Sequence, residues 1–475
     1  MSQYSRTKVY QKRLLKSGLL AGMASGGNMM EDTEREIICT VADNVLAPAL
    51  NGFMVWVLNQ AMAQGIRRLY FLARDGYFMY KTACRYVEAY GLPLECRYFY
   101  CSRYSVRIPC YHLDTEKALA YITLGGLDVT AERLYTRAGF DEKQKEKLFQ
   151  AGVLPYERKE QIPRKELAQI KEVLSKNSLF MDMLVENSRR ALPAYRKYLK
   201  QEGLLEEIPA ALVDSGWVGS MQKELNCSLQ RFGRKEQIHG FYWGLYELPP
   251  DVDRFRYHTY YFSPEGELRR KAAFNNCLFE TIFTAPHGMT LFYEQTDEKI
   301  RPVLSEFSAG RAEGLKFIEE QFLTWQENFL GQISDTSFEM LAKAFMEKQI
   351  CCAIEKNLKL FMHYPTKEEA RLFGKMNFTD DVMEEKGNQI AAHLEERELT
   401  GNHLLHRVIS ELPLHKKSIR QSAWYEGSAA AYGKHPVYHI FQYTGYKYLL
   451  YYRKRERQCR QRKADMINAS VWRMQ

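Results

Sequence analysis

One stretch constrains the fold more than any other: residues 210–225, AALVDSGWVGSMQKEL. Ala210, Ala211, Leu212 and Val213 form a short apolar run, the pattern of a strand buried on both faces of a parallel sheet. Asp214 follows at once. Ser215, Gly216, Trp217, Val218, Gly219 and Ser220 then read as a small-residue turn, and residues 221–225 as the start of a helix. A strand, an acid, a glycine-rich turn and a helix N-terminus together suit an anion, because the first N–H groups of a helix lack intrahelical partners and its dipole favours negative charge there. In open α/β sheets, ligands bind at the C-terminal ends of the strands. The plainer reading is a strand-to-helix turn that binds nothing.

The same order occurs earlier in the chain. Residues 69–72 form a second apolar run, Ala73, Arg74, Asp75 and Gly76 its terminal turn, and residues 77–87 a helix. Residues 97–101 read as a third strand with Ser102 and Arg103 at its end. Parallel strands of one sheet deliver such turns to one edge, so Arg74 and Arg103 are candidate bidentate donors to a phosphate or carboxylate. Their alternative role is to pair with Asp75 or Asp214 with no ligand at all.

The rest of the chain surrounds this unit. Residues 1–35 read as a basic N-terminal arm, of which the first 30 carry Arg6, Lys8, Lys12, Arg13 and Lys16 with no acid and look loose, ending in ASGGNMM. The apolar helix candidate at 36–64, interrupted by Asp43, Asn44, Asn51 and Asn59, reads as a buried amphipathic helix, broken or kinked at Pro48, rather than a membrane span. Residues 111–200 are short charged helical pieces, a helical insertion placed to form a hood over the site. Strands are expected at 239–246 and 255–262, and residues 275–294 hold Glu280 and His287 among apolar neighbours, as core polar groups or as catalysts. From about 305 the chain reads as helical, with helices at 309–329, 336–361, 367–373 and 380–398. The expected class is α/β: a Rossmann-like, mostly parallel sheet in residues 36–300, with the helical insertion, and a C-terminal helical region at 301–475.

Charge and cysteine usage narrow the partners. Net charge is +9, from 67 Lys and Arg against 58 Asp and Glu, concentrated at the two ends. Residues 447–463 carry eight bases and one acid, Glu456, directly after a run of aromatics. That order suits an anionic membrane surface, or a packed helix with a solvated basic tail. No nucleic-acid partner is expected. The ten cysteines form no CxxC pair and have no histidine pair at metal spacing beside them, which argues against zinc and for a reducing cytosol. No apolar segment of secretory-signal type follows the basic start. The expected location is cytoplasmic, peripheral at the inner membrane face.

The segments YFLARDGYFMYK, YCSRYS, LVDSGWVGSMQ and FETIFTAPHG together resemble a bacterial family from cell-surface polysaccharide gene clusters, often labelled hydrolases of the haloacid dehalogenase (HAD) superfamily. That resemblance implies a phosphatase with Asp75 as nucleophile, Ser102 as the strand-two hydroxyl and Asp214 as a magnesium-binding acid. The acid that such phosphatases place two residues after the nucleophile is here Tyr77. The order of elements over residues 66–225 also resembles phosphoribosyltransferases: strand, pyrophosphate loop, helix, strand, hood, then an apolar strand, an acid and a phosphate loop. This second resemblance implies that Arg74, Gly76, Ser102, Arg103 and residues 215–220 bind phosphate, and that Asp75 and Asp214 are the catalytic acids and hold Mg2+. The usual acid pair is reduced to Asp214 followed by Ser215. The implied function is a phosphoribosyltransferase-like glycosyltransferase that moves a phosphorylated sugar onto a glycan or lipid-linked acceptor. The alternatives are a HAD-like hydrolase and a non-catalytic scaffold tethered to a membrane.

Overall fold

The structure, a computed structural model, describes residues 2–24, 34–126, 129–378, 388–410 and 419–472. Its centre is a five-stranded, all-parallel sheet: β1 (Arg68–Leu72), β2 (Glu95–Phe99), β3 (Ala210–Trp217), β4 (His239–Leu245) and β5 (Tyr257–Phe262), in the order β2-β1-β3-β4-β5. The protein is therefore of the α/β class. In this order, shared with doubly wound sheets, the strand sequence reverses between β1 and β3 and opens a crevice at their C-terminal ends.

Side-chain alternation explains why the strands read as unbroken apolar runs. Leu69 and Phe71 of β1, Ala211 and Val213 of β3, and Phe241 and Trp243 of β4 pack into one core with the helices Ala47–Ala63 and Tyr77–Tyr90. Tyr70, Leu72, Ala210 and Leu212 point the other way, against Tyr195, Tyr198 and Leu199 of the helix Ser178–Gln201 and Leu225 and Leu229 of the helix Ser220–Arg231. Both faces are covered, so neither face of the central strands can be polar. Between β2 and β3 the described chain is mainly helical, and residues 108–184 supply a separate core that includes Ile122, Leu134, Tyr135, Phe180 and Leu184.

Several expectations change. Residues 3–15, read as part of a loose arm, form a helix capped by Ser2, with Tyr10 and Leu14 fully buried. Tyr10 donates to the buried Glu369 at 3.0 Å, and the Arg6 guanidinium donates to the Leu360 and Tyr364 carbonyls. Apolar residues of the 2–24 segment thus find a groove that no local pattern announces. Residues 25–33, with most of ASGGNMM, lie outside the described residues. Pro48 does not break its helix. The helical chain runs through it from Glu34 to Ala63, and the π-turn Ala42–Leu46 directly before the proline accommodates the missing N–H. The stretch Glu34–Ala63 is apolar enough to cross a membrane by length and composition, yet 89% of its most apolar window is buried in protein.

Residues 290–304, for which no strand was expected, form an antiparallel hairpin of β6 (Thr290–Thr296) and β7 (Lys299–Leu304). It braces β2: Tyr293 donates to the Tyr100 carbonyl at 2.9 Å. The helix expected at 336–361 is two, Phe338–Phe345 and Lys348–His363. In the helix expected at 380–398, residues 380–387 lie outside the described residues, and Asn388–Gln389 is a short strand.

Candidate functional site

The decisive local correction concerns β3. Its pairing with β4 continues past Asp214, through Gly216↔Gly244 and Trp217↔Leu245, so residues 214–217 are the end of a strand and not part of a turn. Gly216 (φ +109°) and Trp217 (φ +70°) have positive φ in this last stretch. A Cβ at Gly216 would stand 2.6 Å from the Gly244 carbonyl oxygen, so the close approach of β4 requires glycine there. Only Val218 and Gly219 separate strand from helix. The Val218 N–H is taken by the Gly216 carbonyl at 3.0 Å, and Gly219 (φ +68°) is the N-cap of the Ser220–Arg231 helix.

The C-terminal ends of β1, β2 and β3 converge on one cavity of about 390 Å³. Arg74 and Asp75 follow β1, Ser102 and Arg103 follow β2, and Asp214, Ser215, Gly216 and Trp217 end β3; all eight line the cavity. The sequence therefore placed three distant segments on one rim correctly. Gly76, Val218, Gly219 and Ser220 are not among the lining residues. The strand's extension carries the 218–220 turn beyond the rim. Gly76 turns the chain instead: its N–H bonds the Leu72 carbonyl at 2.8 Å, and a Cβ would lie 2.7 Å from that same oxygen. Ser102 lines the cavity, but its hydroxyl is spent on capping. It donates to the Thr290 carbonyl at 2.6 Å and accepts from the Ser105 N–H at 3.0 Å.

Three carboxyl groups meet in this cavity. Asp75 accepts a hydrogen bond from the Ser215 hydroxyl, and Glu280 accepts one from the Trp217 indole N–H. Burial raises Asp75 above the usual carboxylate range, against the Ser215 hydrogen bond and the charges of Arg74 and Arg103. Burial and the neighbouring Asp75 push Asp214 up to about 7, against backbone hydrogen bonds from Ser215 and Gly216 and the charge of Arg103. Burial and Asp75 likewise push Glu280 up to about 8. Burial is the cause common to all three, and at Asp214 and Glu280 the like charge of Asp75 adds to it. Near neutral pH the cluster holds protons and ionised oxygens together, the state from which a carboxyl can take or give a proton.

Glu280 enters through the helix Asn276–Ile282, whose N-cap is Asn275. The sequence singled Glu280 out but could not attach it to the site, since only the fold brings that helix under Trp217. Arg137, Arg311 and Tyr121 also line the cavity, and no local motif marked them. His287, the other candidate of that segment, is not a lining residue. Its Nε2 is 2.8 Å from the Tyr98 hydroxyl and its Nδ1 2.8 Å from the Gly288 carbonyl, as in a satisfied core histidine.

For a divalent cation, the adjacent Asp75 and Asp214 are a suitable donor pair, and their mutual repulsion is what a cation would relieve. Among the described residues, no group of three His, Cys, Asp or Glu is arranged to hold a metal alone. Magnesium ordinarily binds through one or two carboxylates plus substrate phosphates, so the pair fits a cation that arrives with its phosphate ligand. Compared with protein-family models and with curated proteins, the chain matches none.

Proposed function

We propose that this cavity is a transfer site for a phosphorylated sugar donor of the phosphoribosyl pyrophosphate type, with a glycan or lipid-linked acceptor, in cell-surface polysaccharide synthesis. The observation that carries the reading is the convergence of two strand-end arginines and three carboxyl groups at the β1/β3 reversal of a parallel sheet. In this reading Arg74 and Arg103 bind the pyrophosphate and neutralise it as it leaves. The bond from the anomeric carbon to the pyrophosphate oxygen breaks, with its electrons going to pyrophosphate, and a bond to the acceptor hydroxyl oxygen forms. The hydroxyl proton passes to a carboxylate of the cluster. Asp75 and Asp214 would hold Mg2+, which supplies charge neutralisation for the phosphates. Catalysis of this kind is mostly positioning and charge stabilisation.

We read residues 111–200 as a hood over a Rossmann-like sheet, because Tyr121 and Arg137 from that segment line the cavity. The resemblance to the polysaccharide-cluster family supplies the pathway context. The HAD-like phosphatase reading is less well supported. Tyr77 stands where the general acid is needed, and its hydroxyl is 3.2 Å from Glu319 Oε1, in a part of the structure that does not line the cavity.

The test is thermal-shift and calorimetric titration of the purified protein with phosphoribosyl pyrophosphate, nucleotide sugars, pyrophosphate and phosphate, with and without Mg2+. The reading expects phosphoribosyl pyrophosphate to bind, more tightly with Mg2+, and Asp214→Ala to abolish its turnover. A phospho-aspartate trapped on Asp75 would establish the phosphatase instead, and no binding of any phosphorylated sugar would leave the scaffold.

A further inference from the structure

The longest helix, Pro436–Trp472, spans 37 residues and has two unlike faces. One is docked: Ile440, Lys447 and Gln458 are buried. Lys447 Nζ donates to the Phe274 carbonyl at 2.8 Å and pairs with the buried Glu426 at 3.1 Å, and the Gln458 side chain accepts from the Leu248 N–H. These contacts fix how the helix is rotated on the body.

That rotation turns a second, apolar face outward. Val437 and Phe441 are each 69% exposed, and Tyr448 and Tyr452 are exposed as well. At about 100° per residue these four positions fall within roughly 60° of arc, a single stripe. The short helix Leu404–Ser410 lies alongside, with the Arg407 guanidinium 4.7 Å from the centre of the Tyr446 ring, and it exposes Leu405 and Ile409. Exposed aromatics and aliphatics set on two neighbouring helices, with their partners in the core already satisfied, form a surface that water solvates poorly.

Charge selects the occupant. Directly after the stripe, Arg462 and Lys463 are exposed within about 50° of its centre, Arg453, Arg457 and Arg460 are exposed farther round the same helix, and residues 447–463 hold the single acid Glu456. A second copy docking stripe to stripe would bring one basic run against another in parallel pairing. An anionic bilayer satisfies both features at once, since tyrosines sit at the headgroup level, apolar side chains enter the acyl boundary and Lys or Arg pair with anionic lipid. We propose that the exposed face of Pro436–Trp472, with Leu404–Ser410 beside it, is a docking surface for an anionic membrane. The inference is independent of the chemistry assigned to the cavity.

The experiment is co-sedimentation of the full chain with phosphatidylcholine vesicles, and with vesicles in which about one-third of the lipid is phosphatidylglycerol. Binding to the anionic vesicles and not to the neutral ones, weakening with added salt, is expected. Each Lys or Arg near such a surface contributes roughly fivefold in affinity, so Arg462→Glu with Lys463→Glu is expected to weaken partitioning about 25-fold or more. Phe441→Ser with Tyr448→Ser is expected to weaken it about tenfold, with melting unchanged because both side chains are already exposed. Equal partitioning onto neutral and anionic vesicles, vesicle binding that survives both double variants, or no vesicle binding together with a dimer that Phe441→Ser dissolves, would each overturn the proposal.

Discussion

The carboxyl cluster predicts that Asp214, a residue the proposed transfer requires, destabilises the resting protein. Asp214 is held at about 7 in the folded state, against an ordinary value of 3.8. Between those two values the unfolded chain has released the proton and the folded chain has kept it. Stability therefore falls as pH rises through this window, and levels off once the folded group has also ionised. For one such group the loss between about pH 5.5 and about pH 8.5 is about 2 kcal/mol, from 1.36 kcal/mol per pH unit across the part of the window still open. Asp214→Asn removes this dependence and keeps an oxygen to accept from the Ser215 and Gly216 N–H groups. An unfolding entropy of about 2.1 cal/mol/K per residue, over 475 residues, converts about 2 kcal/mol into about 2 °C. Differential scanning fluorimetry of wild type and variant across this pH range reads the effect. The melting-temperature advantage of Asp214→Asn should grow by about 2 °C from the acid to the alkaline end, while phosphoribosyl pyrophosphate turnover is lost. Parallel curves, or an advantage that shrinks with pH, would refute the idea that burial and charge crowding govern Asp214.

Arg103→Ala and Arg74→Ala should each weaken pyrophosphate binding by about 10- to 100-fold, the worth of a charge-assisted hydrogen bond of about 1.5–3 kcal/mol; unchanged calorimetric affinity would remove that arginine from the site. Trp217→Phe deletes the donor to Glu280. It should raise the Glu280 pKa further and cost about 1–3 kcal/mol of stability, read by carbon-13 NMR titration of labelled glutamate and by melting. Glu426 shows the opposite shift. Burial favours its neutral form, yet Lys447 and His363 outweigh that and hold it at about 2, below its ordinary 4.5. Its stabilisation is full above the ordinary value and is lost as pH falls toward 2. Glu426→Gln should therefore cost about 3–5 kcal/mol near neutral pH, because it strands the buried Lys447 charge, and much less in acid; an equal cost at both ends would refute the pairing.

Strand-to-helix units are local objects, and the sequence was sufficient for them. Apolar runs of four or five residues ending at Arg74, Ser102 and Asp214 identified β1, β2 and β3, and the known geometry of parallel sheets put their ends on one edge, where the cavity lies. Other features depended on partners far along the chain. Whether β3 stops at Asp214 or runs on to Trp217 is decided by β4, a strand that the residues 214–217 cannot anticipate. Glu280 joins the acids because Trp217 donates to it across a sequence gap of 63 residues. Residues 3–15 become a buried helix only because Glu369, Leu360 and Tyr364 wait on the far side of the chain. The run of C-terminal aromatics ahead of a basic segment was legible, but which of the aromatics face water was set by where Lys447 and Gln458 dock. Hydrogen bonds within a turn and the period of an apolar run are written in consecutive residues; burial, and the proton affinities it imposes on Asp75, Asp214 and Glu280, exist only once distant segments close around them.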